Sequence, residues 1–303
     1  MCYDKSQVIR KWFPKGHYEF KKRKIFYHMN KPQEDNLYIK SVIESNVPFF
    51  IGRIAGCELQ VAYHLLKGDF MDIVSELAEL ENNAGILTKT NDSLQKYVEM
   101  LVESYDHCTV IAEWDRAGDV FLNTGAGQLL ISNRTSHIPK INAIALEPYY
   151  FKDSWMSALK GKKLLIVHPF SDTFKKQVHK QIFPNWFEDC TFQFIKPPFT
   201  LAGNHDNRDW QEHFQECIKS IDQLEKYDIA LVAAGGYGML LADHIFKSGA
   251  SVMYIGGALQ IFFGVIGKRW FENKDILMLM NRNWIRPEEK PHNFKNVEKG
   301  CYW

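Results

Sequence analysis

From Lys162 to Ala258 the chain repeats one phrase: a short apolar run, a turn, then an amphipathic helical stretch. "KKLLIVHPF" reads as a buried strand and "SDTFKKQVHKQI" as a helix capped by its Ser or Asp, followed by "CTFQFIKPP" as the next strand. "DNRDWQEHFQECIKSIDQL" is a long amphipathic helix, "YDIALVAAGG" a strand running into glycines, "YGMLLADHIFKSG" its following helix and "ASVMYIGGA" a further strand. This alternation predicts an α/β, Rossmann-like fold: a mostly parallel sheet with helices on both faces. Few other architectures place an apolar strand between successive helices at this spacing.

The first half fits the same plan less regularly. "EDNLYIKSVIES" carries Ile39, Val42 and Ile43 at helical spacing, "VPFFIGRI" is a buried strand, and "ELQVAYHLLKG" is a helix ending at Gly68. Two amphipathic helices are predicted near Asp69–Glu81 and Asn91–Tyr105, and "CTVIAEW" as a strand. Residues 118–151 read as strand-like and turn-rich, and "KDSWMSALK" as a short helix stopped by Gly161. The division that results is an irregular basic segment over 1–35, one α/β domain over 36–280 with halves 36–160 and 161–280, and a tail over 281–303 without periodicity. Packing on the surface is the expectation for that tail, a lid over the sheet the alternative.

Composition excludes several classes. A net charge of +1 provides no global field for nucleic acid. Six cysteines without a C-x-x-C pair argue against a thiolate zinc site and a disulfide scaffold, which points to a reducing cytoplasm. No apolar run approaches the ~20 residues of a membrane span. The basic cluster Lys21–Lys24 is a candidate contact for anionic head groups, with a solvated loop as the plainer reading. A homo-oligomer is a further candidate assembly.

In an open parallel sheet, ligands collect beyond the carboxyl ends of the strands. Three such ends stand out in the second half: His168 in "VHPFSDT", Gly235, Gly236, Tyr237 and Gly238 in "AAGGYG", and Gly256, Gly257 and Gln260 in "YIGGALQ". Glycines there let backbone amides approach a phosphate, or simply make tight turns and close packing. His205, Asp206 and Asp209 in "GNHDNRDW" invite a metal reading, but helix entry explains them as well. In "FFIGRIAGCELQ", Gly52 and Arg53 end a strand and Glu58 opens the next helix. The arginine suits a phosphate and the glutamate a general base; the alternative is that the two pair with each other.

These residues resemble a family. Glycosyltransferases of the GT-D fold type carry a strand, then R-x-G-D-G-E and a helix, and "GRIAGCE" keeps the arginine and the glutamate at the same separation. The likeness continues through Lys160–Pro169 and "DIALVAAGGYGMLLADHIFKSGASVMYIGGALQ", covering most of residues 35–270 in order. The chain is also similar to proteins of polysaccharide-biosynthesis loci that share "IGGALQ-FFG-GKRW". The resemblance implies a nucleotide-sugar donor, usually a UDP-sugar, and a glycan or lipid-linked glycan acceptor in cell-surface polysaccharide synthesis. It implies a Mn2+ or Mg2+ cofactor bound through the Asp-Gly-Glu unit, but here Gly56 stands at the aspartate and Cys57 at the glycine, leaving Glu58 as the family-matched donor. Without that aspartate the diphosphate would be met by Arg53, the glycine-turn amides and Lys268 or Arg269. Other classes stay open: a non-catalytic nucleotide- or glycan-binding protein, or a nucleotide-sugar hydrolase.

Overall fold

A computed structural model describes residues 32–68, 73–180 and 182–303. The Lys21–Lys24 cluster and the expected helix start at Asp69 lie outside the described residues. Seven parallel strands form one sheet in the order β3-β2-β1-β7-β6-β4-β5. In chain order these are β1 (Phe50–Arg53), β2 (Val110–Glu113), β3 (Lys140–Asn142), β4 (Lys163–Val167), β5 (Thr191–Ile195), β6 (Ile229–Val232) and β7 (Ser251–Tyr254). Ten α-helices surround them among the described residues: α1 (Pro32–Glu44), α2 (Cys57–Lys67), α3 (Ile73–Ala84), α4 (Asn91–Asp106), α5 (Asp119–Arg134), α6 (Ser171–Gln177), α7 (Trp210–Asp222), α8 (Gly238–Lys247), α9 (Leu259–Phe262) and α10 (Lys274–Leu279).

The strands are apolar throughout because both of their faces are covered. Phe50, Ile111, Leu165, Val167, Ala230, Val232 and Val252 point into one core, with α2, α3, α4, α7 and α8. Their neighbours Ile51, Val110, Ala112, Leu164, Ile166, Leu231 and Met253 point into the other, with α1, α6, α9 and the segment after Trp270. Connections that run toward the β3 edge (β1 to β2, β2 to β3, β5 to β6, β6 to β7) use the first face. Those that run toward the β5 edge (β3 to β4, β4 to β5) use the second. A single crossover hand requires that arrangement. The chain leaving β7 passes to the second face, whereas the chains leaving β1 and β6, on either side of it, pass to the first. The layers therefore part at the carboxyl end of β7, where a crevice opens.

Three expectations need correction. Within residues 118–151 only β3 (Lys140–Asn142) is a strand, and α5 occupies Asp119–Arg134. Gly125 and Gly127 read as turns in sequence, yet a side chain on Gly127 would come within 2.8 Å of the Leu59 backbone. The glycine lets α5 cross α2 closely. The cap of α6 is also not its own: Asp172 pairs with Lys175 at 3.0 Å, and the Glu289 carboxylate accepts the Thr173 amide at 2.9 Å. "KDSWMSALK" forms only a 3-10 turn over Trp155–Leu159.

Candidate functional site

A cavity of about 380 Å3 lies at the carboxyl ends of β1, β2, β4, β6 and β7. Its floor is the turn between β1 and α2. The Tyr105 hydroxyl pins that turn, donating to the Arg53 carbonyl at 2.9 Å and accepting the Ala55 amide at 3.0 Å. The Arg53 side chain rises from it into an aromatic slot, with Cζ 5.2 Å from the Trp114 ring centre and 5.6 Å from that of Tyr254. Trp114 is held through both backbone groups by the Gln128 amide, and its indole N–H donates to the Ile54 carbonyl at 3.1 Å. Gly256, at φ +69°, leaves room for the guanidinium, since any side chain there would overlap Nη2. Arg53 Nε is buried with no hydrogen-bond partner. A buried, unpartnered donor on a charged group costs on the order of 1–3 kcal/mol or more, a cost a bound anion would remove.

Among the described residues no ion pair joins Arg53 to Glu58, so the pairing that would have made the two merely structural is absent. Glu58 sits in the first turn of α2, 7% exposed. Burial raises its pKa, against the opposing pull of the Glu58 and Gly56 amides, the Cys57 thiol and Arg53. Cys57 Sγ donates to Glu58 Oε2 at 3.6 Å, and burial drives the thiol itself well up. A second carboxyl, Glu147, also lines the cavity. Burial raises its pKa too, while the Tyr149 hydroxyl donates to it and Arg53 and Arg269 favour its charged form. Sequence reasoning missed Glu147, because it lies at the end of a stretch read only as strand-like and turn-rich. Its signal was a lone acid in an otherwise apolar run.

The far wall is made by the tail. Gln260 donates from Nε2 to the carbonyls of Val265 at 3.0 Å and Tyr302 at 3.3 Å. The Lys268 and Arg269 amides donate to Trp303 and Cys301, and the Trp303 indole donates to the Glu289 carbonyl at 2.7 Å. Glu298, Tyr302 and Trp303 thereby face the cavity. The tail is a wall of the site, not surface packing. Arg269 lies over Tyr302, Cζ 5.0 Å from its ring centre.

Of the residues expected here, the structure brings together Arg53, Glu58, His168, Gly235, Gly256, Gly257 and Gln260. Four others do not reach the cavity. Gly52 packs on Cys108 Sγ, Gly236 on Ile86 and Gly238 on the Tyr254 ring, while Tyr237 is buried in the first core. The close packing of strand against helix, not the approach of a ligand, requires those glycines. His168 is buried, and burial lowers its pKa to about 3. Its Nδ1 accepts the Phe170 amide at 2.9 Å, so the neutral ring carries its proton on Nε2 and is a donor there.

Among the described residues no group of three or more His, Cys, Asp or Glu side chains could hold a metal ion. His205 pairs with Glu81 at 2.9 Å and Asp209 completes a capping box on α7. Among the described residues, too, no helix is long and apolar enough to cross a membrane.

No family model and no curated protein matches the chain. Two solved structures are similar to it. One is described as the highly conserved domain of unknown function 1792 with a distinct glycosyltransferase fold, at 14% identity and a TM-score of 0.47, over 88% of each chain. The other is a selenomethionine-substituted structure of that domain, at 15% identity and a TM-score of 0.46, again over 88% of each. At such distance, a functional reading has to stand on the cavity itself.

Proposed function

We propose that the chain is a glycosyltransferase of the cytoplasm, taking a nucleotide-sugar donor and passing the sugar to a glycan acceptor in cell-surface polysaccharide synthesis. A UDP-sugar is the donor that the family resemblance favours. The observation that carries the reading is Arg53: a guanidinium at the base of a cavity, clamped between two aromatic rings, with a buried donor left without a partner. Such a group is built to meet phosphate oxygens. The surrounding Trp114, Tyr254 and Tyr302 rings suit a base or a sugar face. Transfer requires a carboxylate to take the acceptor hydroxyl's proton and positive charge to stabilise the departing diphosphate. Glu58, its pKa raised by burial, is the proposed base. Glu147, already engaged by the Tyr149 hydroxyl, is proposed to hold sugar hydroxyls.

Binding of a nucleotide-sugar panel followed by product detection tests this. UDP-sugars are expected to bind, and Arg53→Ala to weaken them by roughly 10- to 100-fold, the worth of one or two charge-assisted hydrogen bonds. Glu58→Gln should keep binding and lose transfer. Unchanged transfer in Glu58→Gln removes it as base, and no binding by any nucleotide sugar sinks the whole reading. A second reading, a non-catalytic binding protein, is favoured by the depth of Glu58, which narrows an acceptor's access. Binding without turnover on any acceptor supports it, whereas turnover without acceptor marks a hydrolase.

A further inference from the structure

A nucleoside diphosphate leaving group needs positive charge beside it, and a Mg2+ or Mn2+ ion held by carboxylates is the common source. Resting on the donor reading above, we infer that this site holds the donor's diphosphate without a divalent cation, the charge coming from Arg53 and Arg269. The two guanidinium groups converge on one turn. A side chain on Gly256 would overlap Arg53 Nη2, and one on Gly257 would lie 3.6 Å from Arg269 Nη1. Together they carry the formal charge of one Mg2+. Rings flank each of them: Trp114 and Tyr254 flank Arg53, and Trp270 and Tyr302 flank Arg269. Tyr302 also hydrogen-bonds Arg269, while Glu147 acts electrostatically on both arginines and Glu298 on Arg269. Ring contacts orient a guanidinium while leaving its N–H groups to a ligand.

The donor set points the same way. A Mg2+ ion at a phosphate site is bound through one or two carboxylates together with the substrate's phosphates and water. Glu58 Oε2 instead faces a thiol, and the neighbouring position is Gly56, which has no side chain to offer. Crowding does not impose that glycine: the nearest atom to a side chain built there is Thr124 Cγ2 at 4.0 Å, and the backbone is at φ −92°.

Calorimetric titration of the full chain with UDP decides it, run in EDTA and again in excess Mn2+ or Mg2+. The expected result is an affinity in EDTA within about threefold of that with metal. Arg53→Lys and Arg269→Ala, with circular dichroism confirming that both fold, are each expected to weaken it tenfold or more in EDTA. Binding that appears only with metal, or tightens tenfold on adding it, overturns the inference while leaving the donor reading in place. So does undiminished affinity in both arginine variants. No binding of UDP in either condition overturns the UDP-sugar as donor and this inference with it.

Discussion

Two double-glycine turns follow two adjacent strands, β6 and β7, and in sequence they make the same offer of bare backbone at a strand end. The structure uses them differently. After β6, Gly236 and Gly238 are driven into the core against Ile86 and the Tyr254 ring, and of the three glycines Gly235 alone reaches the cavity, where a side chain would come within 2.9 Å of the Ala84 carbonyl. After β7, Gly256 and Gly257 border the cavity, one beside the Arg53 guanidinium and the other under the Tyr302 ring. The connection explains the difference. The chain from β6 turns at once into α8, packed on the first face, whereas the chain from β7 crosses to the second face and opens the crevice behind it. A glycine pair at a strand end therefore reports close approach, and the direction in which the chain leaves decides whether backbone or ligand does the approaching.

Alanine at each turn would break or sharpen this contrast. The largest expected effect is in binding: Gly256→Ala displaces the Arg53 side chain and strains a backbone at φ +69°, so UDP affinity should fall roughly tenfold or more, with a stability loss of about 1 kcal/mol. Gly236→Ala and Gly238→Ala should cost about 1–3 kcal/mol in denaturant unfolding, as overpacked core positions do, with affinity in the surviving folded fraction little changed. If Gly236→Ala abolished binding at full stability, the two turns would not differ as argued. A smaller effect separates the charged walls by pH. Glu58 binds its proton more tightly when folded than at its ordinary 4.5, so its contribution to stability is present at low pH and lost as pH rises through the raised value. His168 does the opposite: between its ordinary 6.5 and about 3 the unfolded chain takes the proton first, so stability is lost as pH falls through that window. Thermal unfolding against pH should show Glu58→Gln reducing the loss of stability as pH rises above 4.5, and His168→Asn reducing the loss as pH falls below 6.5. Parallel profiles for wild type and either variant would show that burial of that group does not set the slope.

The strands and helices of the second half were legible because each is a short period-specific pattern bounded by turn residues. Helix α5 was not. Its glycines are local breakers, and only the contact of Gly127 with Leu59 on α2, a residue far away in sequence, makes glycine the residue that the helix needs. Glu147 escaped for a similar reason: an acid in an apolar run has no meaning until a fold aims it at a cavity. The tail lacked periodicity because backbone bonds to the loop after β7, not a repeating apolar face, hold it in place.

By itself, then, the sequence determined the parallel α/β plan and which strand ends carry chemistry-bearing residues, since alternation and local propensity are encoded over neighbouring positions. Strand order, the choice between two identical glycine signals, and the meeting of Arg53 with Trp114, Tyr254, Glu147 and Arg269 were decided only in the tertiary structure. Those depend on which connection passes over which face, and that is a property of the packed layers and not of any one segment.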